Sequence, residues 1–143
     1  MGIGNPLRGD DGVGPFIARR FRCLGWISLD SGTAPENFTG VVRREHPDLV
    51  VVVDAADMGV APGEFRCIPL PRLVDVSFST HGPSLVSFIQ FITPLANRIL
   101  IIGMQPCRIK DEIGLSPQLE EAAENLITIL ENGKVDQVLV LER

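Results

Sequence analysis

The chain has 143 residues, a length that suits one globular domain, and 45% of them are hydrophobic. Its formal net charge of −5 argues against nucleic-acid binding, which requires clustered Lys and Arg. No apolar run approaches the roughly 20 residues of a membrane span, so we expect no membrane insertion. Three scattered cysteines without a Cys-x-x-Cys pair predict neither a disulfide framework nor a thiolate zinc site. With no signal peptide at its Gly-rich start, the chain is predicted to be cytoplasmic.

Helical and strand-like patterns alternate along the chain. In chain order we predict a helix over 11–23, a strand over 26–30, a helix over 36–45, a strand over 48–54, an edge strand over 64–69, a helix beginning near Pro83, a strand over 98–104, and a helix that follows Ser116 and stops at Gly133. The β-branched runs at 48–54 and 98–104 are typical of buried central strands. The alternation predicts a single-domain α/β fold, a three-layer sandwich with a mostly parallel twisted sheet and helices on both faces.

Three loops carry acidic or imidazole side chains where predicted strands end or helices begin. Asp11 leads into the first helix, Asp54 leaves the central strand, and His81 leads into the third helix. Sites in open α/β sheets lie beyond the carboxyl ends of the strands, so we expect these side chains to converge. A helix N-terminus keeps Asp11 ionised and His81 neutral, the forms that bind a metal. Two carboxylates and one imidazole suit a borderline divalent ion.

Each of these side chains also has a structural interpretation. Asp10 and Asp11 could cap a helix, Asp54 could simply end a strand, and His81 could bind a backbone carbonyl. Asp57 stands two residues before Gly59, as in an Asx turn. Taken singly, the structural interpretation is favoured for each residue, and the metal site is a hypothesis.

Five motifs taken together resemble the hydrogenase maturation endopeptidases, especially the hydrogenase-3 type. They are GNPLRGDDGVG at 4–14, DSGTAPEN at 30–37, VDAADMG at 53–59 followed by PGE at 62–64, STH at 79–81, and GMQP at 103–106. The motifs stand in the order of the family and at about its spacing, over nearly the whole chain.

The resemblance implies an endopeptidase that removes the C-terminal extension of a nickel–iron hydrogenase large-subunit precursor after nickel insertion. It places the catalytic and metal-contacting roles on Asp11, Asp54 and His81, and we expect Asp57 and Thr80 beside them to bind the substrate. The nickel is supplied by the substrate, and no organic cofactor is resident. Because the site lacks thiolates, it should hold nickel less firmly than a thiolate-rich substrate site. Hydrolysis through a metal-polarised carbonyl or an activated water, in a metallo-type or aspartyl-type endopeptidase, stays open.

Two shorter motifs suggest other functions. The sequence Asp30-Ser-Gly-Thr33 matches the active-site signature of retropepsin-like aspartic peptidases, in which a dimer pairs two such Asp residues. Gly2-Ile3-Gly4 would suit a non-enzymatic nucleotide-binding module, although Leu7 stands where the dinucleotide fingerprint has its third Gly. Few residues precede the first loop, so we expect that the first strand of the domain (1–143) is truncated or that the chain starts late. A missing strand would anchor that loop on one side only.

Overall fold

Strands and helices alternate through residues 1–78 and 82–142, the parts of the chain that the computed structural model describes. The strands are β1 (Gly2–Ile3), β2 (Asp30–Gly32), β3 (Leu49–Asp57), β4 (Phe65–Ile68), β5 (Ser77–Phe78) and β6 (Arg98–Met104). The α-helices are α1 (Val13–Arg20), α2 (Thr39–Glu45), α3 (Gly82–Ile92) and α4 (Pro117–Glu131). Short 3-10 turns at Gly9–Gly12 and Pro35–Phe38 lead directly into α1 and α2.

The strands form a mixed sheet in the order β2-β1-β3-β6-β4, and β5 pairs with the end of β3. β2, β1, β3 and β6 are parallel, whereas β4 and β5 run antiparallel to their partners. The central β3–β6 pairing extends from Leu49 opposite Arg98 to Ala55 opposite Met104. A parallel pair must be covered on both faces, which is why both strands are continuous apolar runs.

Helices cover both faces of this sheet, each over its own hydrophobic core. α1 and α4 pack on the face that carries Val51 and Val53. α2 and α3 pack on the other face, which carries Val52 and Ala56. The predicted single-domain α/β sandwich with a mostly parallel sheet is confirmed.

Several predicted boundaries differ from the structure. The two central strands, the edge strand and the last helix lie where the patterns placed them, but the first two helices each begin with a 3-10 turn. The strand predicted over 26–30 is wrong, because β2 begins only at Asp30. The neighbouring strand β1 is only two residues long. It can therefore pair only with Asp30–Gly32, and the residues before Asp30 have no strand beside them.

The short strand β1 is nevertheless hydrogen-bonded on both sides. The Gly2 N–H donates to the Leu29 carbonyl at 2.9 Å, and the Val53 N–H donates to the Met1 carbonyl at 2.9 Å. The short segment that precedes the first loop is therefore held by both neighbouring segments.

Helix α1 lies unusually close to the sheet through Gly14. A Cβ at Gly14 would stand 2.3 Å from the Ile3 carbonyl oxygen and 2.7 Å from that of Val53. Real Cβ atoms do not approach backbone so closely, so any side chain here would push the helix outward. The contact places the start of α1, and the 3-10 turn before it, against β1 and β3.

The last described segment covers the outer side of β4. The Cys67 N–H donates to the Leu139 carbonyl, and the Leu141 N–H donates to the Cys67 carbonyl, each at 2.8 Å. An open sheet edge is thereby paired. In residues 1–78 and 82–142 no helix has the length and apolarity needed to cross a bilayer, and Cys23, Cys67 and Cys107 carry free thiols.

Candidate functional site

Asp54 is a buried carboxylate in the middle of the sheet. It does not end the central strand as expected, because β3 continues to Asp57 and pairs there with β5. Side chains alternate along a strand, so Asp54 faces the same side as Val52 and Ala56, which is the side that α3 covers. Only 1% of Asp54 is exposed.

The surroundings of Asp54 do not satisfy its charge. Neither carboxylate oxygen has a hydrogen-bond partner among the described residues. Burial raises the pKa of Asp54 well above its usual value, and the negative charge of Asp11 raises it further. The backbone N–H of Ala55 lowers this pKa by a smaller amount. A cation at this position would offset both the cost of burying the charged carboxylate and the repulsion from Asp11.

Asp11 belongs to the 3-10 turn that precedes α1 and is 1% exposed. Its Oδ2 accepts a hydrogen bond from the Asn5 N–H at 3.1 Å, which ties the carboxylate to the start of its own loop. The negative charge of Asp11 acts on Asp54, so the two carboxylates lie within electrostatic range of one another. A shared metal site for these two predicted ligands stays a prediction.

The predicted third ligand, His81, and its neighbour Thr80 lie outside the described residues. In the sequence His81 immediately precedes α3, the helix on the face toward which Asp54 points. Within the described part of the chain no group of three or more His, Cys, Asp or Glu side chains could hold a metal ion. The convergence of all three predicted ligands stays a prediction.

Asp57 lies at the exposed end of β3, where its carboxylate forms an Asx turn. Its Oδ1 accepts hydrogen bonds from the Gly59 N–H and from Nε2 of Gln105, both at 3.2 Å. The turn was predicted from the spacing of Asp57 and Gly59. The role of Gln105 was not, although the GMQP motif around it was part of the family resemblance.

Asp10 is also fully buried, and its carboxylate has many donors. It accepts hydrogen bonds from the backbone N–H groups of Cys107, Arg108 and Ser116 and from the Ser116 hydroxyl, at 2.7–3.1 Å. The Ser116 hydroxyl points to Asp10, so Ser116 occupies the N-cap position of α4 without capping it through its side chain. Asp10 joins the first loop to the segment before α4, a structural role that the Asp-Asp sequence alone did not reveal.

The retropepsin-like alternative is wrong on the fold. Asp30 begins the parallel edge strand β2, and its Oδ2 accepts a hydrogen bond from Nε of Arg19 at 2.7 Å. Its Oδ1 receives the Gly32 N–H at 3.4 Å, so Asp30 supports its own turn, as a structural acid would. The glycines of the nucleotide-module alternative pack on the chain itself, since a Cβ at Gly4 would stand 1.9 Å from the Asp11 carbonyl oxygen.

A cavity of roughly 490 Å³ opens at the other end of the sheet, where the parallel strands begin. Apolar side chains such as those of Trp26, Ile27 and Val51 line it, whereas Asp11 and Asp54 do not. The Met1 amino group there donates to the Val51 carbonyl at 2.7 Å, and burial lowers the pKa of that amino group to about 5. Asp11 and Asp54 therefore lie away from this cavity.

Known proteins resemble this chain along most of its length. The family model described as hydrogenase maturation protease matches residues 17–133. The hydrogenase 3 maturation protease of Escherichia coli K12 is 30% identical over 98% of this chain and 95% of its own. The solution structure of the endopeptidase HycI from E. coli superposes with a TM-score of 0.89 at 28% identity, over 99% of this chain and 94% of its own.

A crystal structure of a nickel–iron hydrogenase maturation protease HycI from Thermococcus kodakarensis KOD1 is also similar. Its TM-score is 0.81 at 32% identity, over 93% of this chain and 88% of that one. Sequence and backbone comparisons thus agree on the same group of proteins.

Proposed function

Because this chain belongs to the hydrogenase maturation protease family and is therefore a peptidase, we propose that it cleaves a nickel–iron hydrogenase large-subunit precursor once nickel has been inserted. The bond cleaved is the one that joins the C-terminal extension to the mature subunit. Asp11, Asp54 and His81 contact the nickel that the precursor carries, so the metal is part of the substrate.

The single observation that carries this proposal is the state of Asp54. A buried carboxylate with neither a hydrogen-bond donor nor a positive partner among the described residues is destabilising unless a cation arrives. Asp11 adds a second negative charge beside it. Such a pair is unfavourable in the free enzyme and becomes favourable when a divalent ion is bound, which fits the recognition of a metal-loaded substrate.

The residues would act on the substrate by position and charge. Asp54 and Asp11 would draw the nickel of the precursor toward the sheet edge, and a neutral His81 would complete a mixed oxygen and nitrogen ligand set. Binding the metal would place the adjoining peptide segment along the exposed end of β3, where Asp57 lies. Hydrolysis through a polarised carbonyl and hydrolysis through an activated water both remain compatible with this arrangement.

The decisive experiment compares two precursors that differ only in nickel. The purified protein is mixed with nickel-loaded and with nickel-free large-subunit precursor, without added metal, and the mass of the large subunit is followed over time. We expect the loaded precursor to lose its C-terminal extension and the nickel-free precursor to stay intact. Equal cleavage of both precursors would show that the protein is a peptidase that does not recognise the metal, which contradicts that part of the proposal.

We also propose that the protein works in the cytoplasm, which is a reducing compartment. Its three cysteines carry free thiols, as is usual where disulfides do not persist. Fractionation of producing cells, with immunodetection of the protein in each fraction, tests the location. Recovery in the membrane or the periplasmic fraction would contradict it.

A further inference from the structure

Gln105, the residue directly after β6, uses both ends of its side-chain amide. Its Oε1 accepts the Met58 N–H at 2.7 Å, and its Nε2 donates to Oδ1 of Asp57 at 3.2 Å. Gln105 is 9% exposed, so these hydrogen bonds are largely shielded from water. Since one end must accept and the other must donate, the two partners fix the orientation of the amide.

The backbone of Gln105 binds the far end of the same connection. Its N–H donates to the Glu64 carbonyl at 2.8 Å, and its carbonyl accepts the Gly63 N–H at 2.9 Å. One residue therefore holds both the beginning and the end of the segment that joins β3 to β4, residues 58–64. This segment has no regular structure and contains Gly59 and Gly63 at positive φ, so it depends on such contacts for its shape.

This connection lies within reach of a peptide bound at Asp54. Asp57 is three residues further along β3, roughly 10 Å at about 3.3 Å per residue. An extended peptide spans the same distance with about three residues. Because side chains alternate along a strand, Asp57 faces the side opposite to Asp54, so a segment of the precursor whose metal contacts Asp54 reaches 57–59 by passing over the end of β3. There the carboxylate of Asp57 can accept its hydrogen-bond donors.

We propose that Gln105 is a positioning residue that sets the 57–64 connection in the shape that binds the peptide segment of the precursor. It acts through Asp57 and Met58 and does not touch the nickel. This role rests on the proposed function. In this proposal the connection between β3 and β4 binds the peptide, whereas the predicted metal ligands recognise the nickel.

Two substitutions separate the two ends of the amide. Gln105→Met keeps the length of the side chain and removes both hydrogen bonds. Gln105→Glu keeps an acceptor for the Met58 N–H but sets a carboxylate against that of Asp57, so it should be the more damaging change. Gln137→Met is the matched control, since Gln137 is exposed on the 3-10 turn after α4.

The first measurement is steady-state processing of the nickel-loaded precursor. We expect Gln105→Met to raise KM about fivefold and Gln105→Glu about tenfold or more, with kcat within about twofold of the wild type, because uniform substrate binding is lost. Gln137→Met should leave both constants unchanged. A fall in kcat at unchanged KM, or wild-type KM in both Gln105 variants, would overturn the positioning role.

The second measurement needs no substrate and keeps the two hypotheses apart. Hydrogen exchange of the Met58 amide is followed by NMR in the free wild type and in Gln105→Met. We expect at least tenfold faster exchange at Met58 in the variant, with exchange in the β3–β6 ladder unchanged. Unchanged Met58 exchange contradicts the positioning role even if the precursor is processed, whereas a wild type that processes nothing contradicts only the proposed function.

Discussion

Asp10 and Asp54 are both buried carboxylates, with 0% and 1% of their surfaces exposed, and their surroundings are opposite. Asp10 accepts four hydrogen bonds from Cys107, Arg108 and Ser116. Asp54 accepts none from the described residues and feels the charge of Asp11. The two acids are equally buried, and what distinguishes them is the number of hydrogen-bond donors around each carboxylate.

The contrast has an energetic consequence. The four donors at Asp10 replace the water that the carboxylate loses on folding, so the region stabilises the fold through a charged group. The region of Asp54 does the reverse, because burial and the charge of Asp11 disfavour the ionised carboxylate. Such local instability is common where a site is prepared for a ligand, which then supplies the missing interaction.

The largest expected effect is on processing when Asp54 is changed. Asp54→Asn keeps the shape and removes the charge that balances the nickel, and His81→Ala removes the only predicted nitrogen ligand. We expect each to slow processing of the nickel-loaded precursor on the order of a hundredfold or more, since a ligand to the metal is lost. The processed fraction against time, with folding checked by thermal melts, is the measurement.

Asp57→Asn and Thr80→Ala serve as comparisons for these two variants. Both residues were predicted to bind the peptide and not the metal, so their loss should slow processing less, by about tenfold or under. Wild-type processing rates in Asp54→Asn and His81→Ala would show that neither side chain is needed for cleavage. The difference in surroundings between Asp54 and Asp10 would then have no functional meaning.

The next effect is on stability and concerns Asp10. Asp10→Ala leaves buried N–H groups and the Ser116 hydroxyl without an acceptor, which should lower the free energy of unfolding by about 3 kcal/mol. Thermal melts should show a fall in Tm of roughly 10 °C for a chain of this size. Ser116→Ala removes one of the four hydrogen bonds and should cost about 1 kcal/mol. An unchanged Tm in Asp10→Ala would mean that its hydrogen bonds are replaced by water.

The opposite sign is expected at Asp54, where loss of the charge should stabilise the free enzyme. The pKa of Asp54 is raised on folding, so the folded state binds the proton more tightly, and stability falls as pH rises above the unfolded value of about 3.8. Asp54→Asn has no carboxyl group at this position to ionise, so its stability does not fall in this way as pH rises. Its Tm should equal that of the wild type below about pH 3.8 and exceed it increasingly as pH rises through the folded pKa. Melts across that range, with a lower Tm for Asp54→Asn at neutral pH, would show that Asp54 is satisfied after all.

The smallest effect is expected at Asp30, a third acid that is paired and partly exposed. Its ion pair with Arg19 spans 2.7 Å, with 63% of the Arg19 side chain and 32% of the Asp30 side chain exposed. Exposed pairs contribute little, so Asp30→Asn should cost about 0.5 kcal/mol, and pepstatin-type inhibitors should not affect processing. Loss of all processing in a fully folded Asp30→Asn would show that this acid has a role beyond its ion pair.

Much of the fold was predictable because it follows from local pattern. The runs at 48–54 and 98–104 are apolar on both faces, and only a covered parallel sheet satisfies that. The length of β2 was not predictable, since it depends on how far β1 extends beside it. Likewise, a 3-10 turn and the first turn of an α-helix carry the same residue types, so Gly9–Gly12 could not be distinguished from the helix that follows.

In the candidate site, too, the local hydrogen bonds were predictable from the sequence and the long-range ones were not. The spacing of Asp57 and Gly59 predicted an Asx turn because that hydrogen bond is local, and the turn is present. The hydrogen bonds of Gln105 reach 47 and 48 positions along the chain, and no local pattern reports them. His81 lies outside the described residues, so its role stays a prediction.

By itself the sequence determined the layers of the fold and the loops that carry its acids, because both follow from periodicity and from the chemistry of neighbouring residues. Only the tertiary structure showed that Asp10 is held by donors from a distant segment, whereas the neighbouring Asp11 acts electrostatically on Asp54. The donors of Asp10 come from 97 to 106 positions away, and Asp11 acts electrostatically on Asp54, which is distant from it in the sequence. Whether a buried charge is satisfied is a property of groups that are distant in the chain.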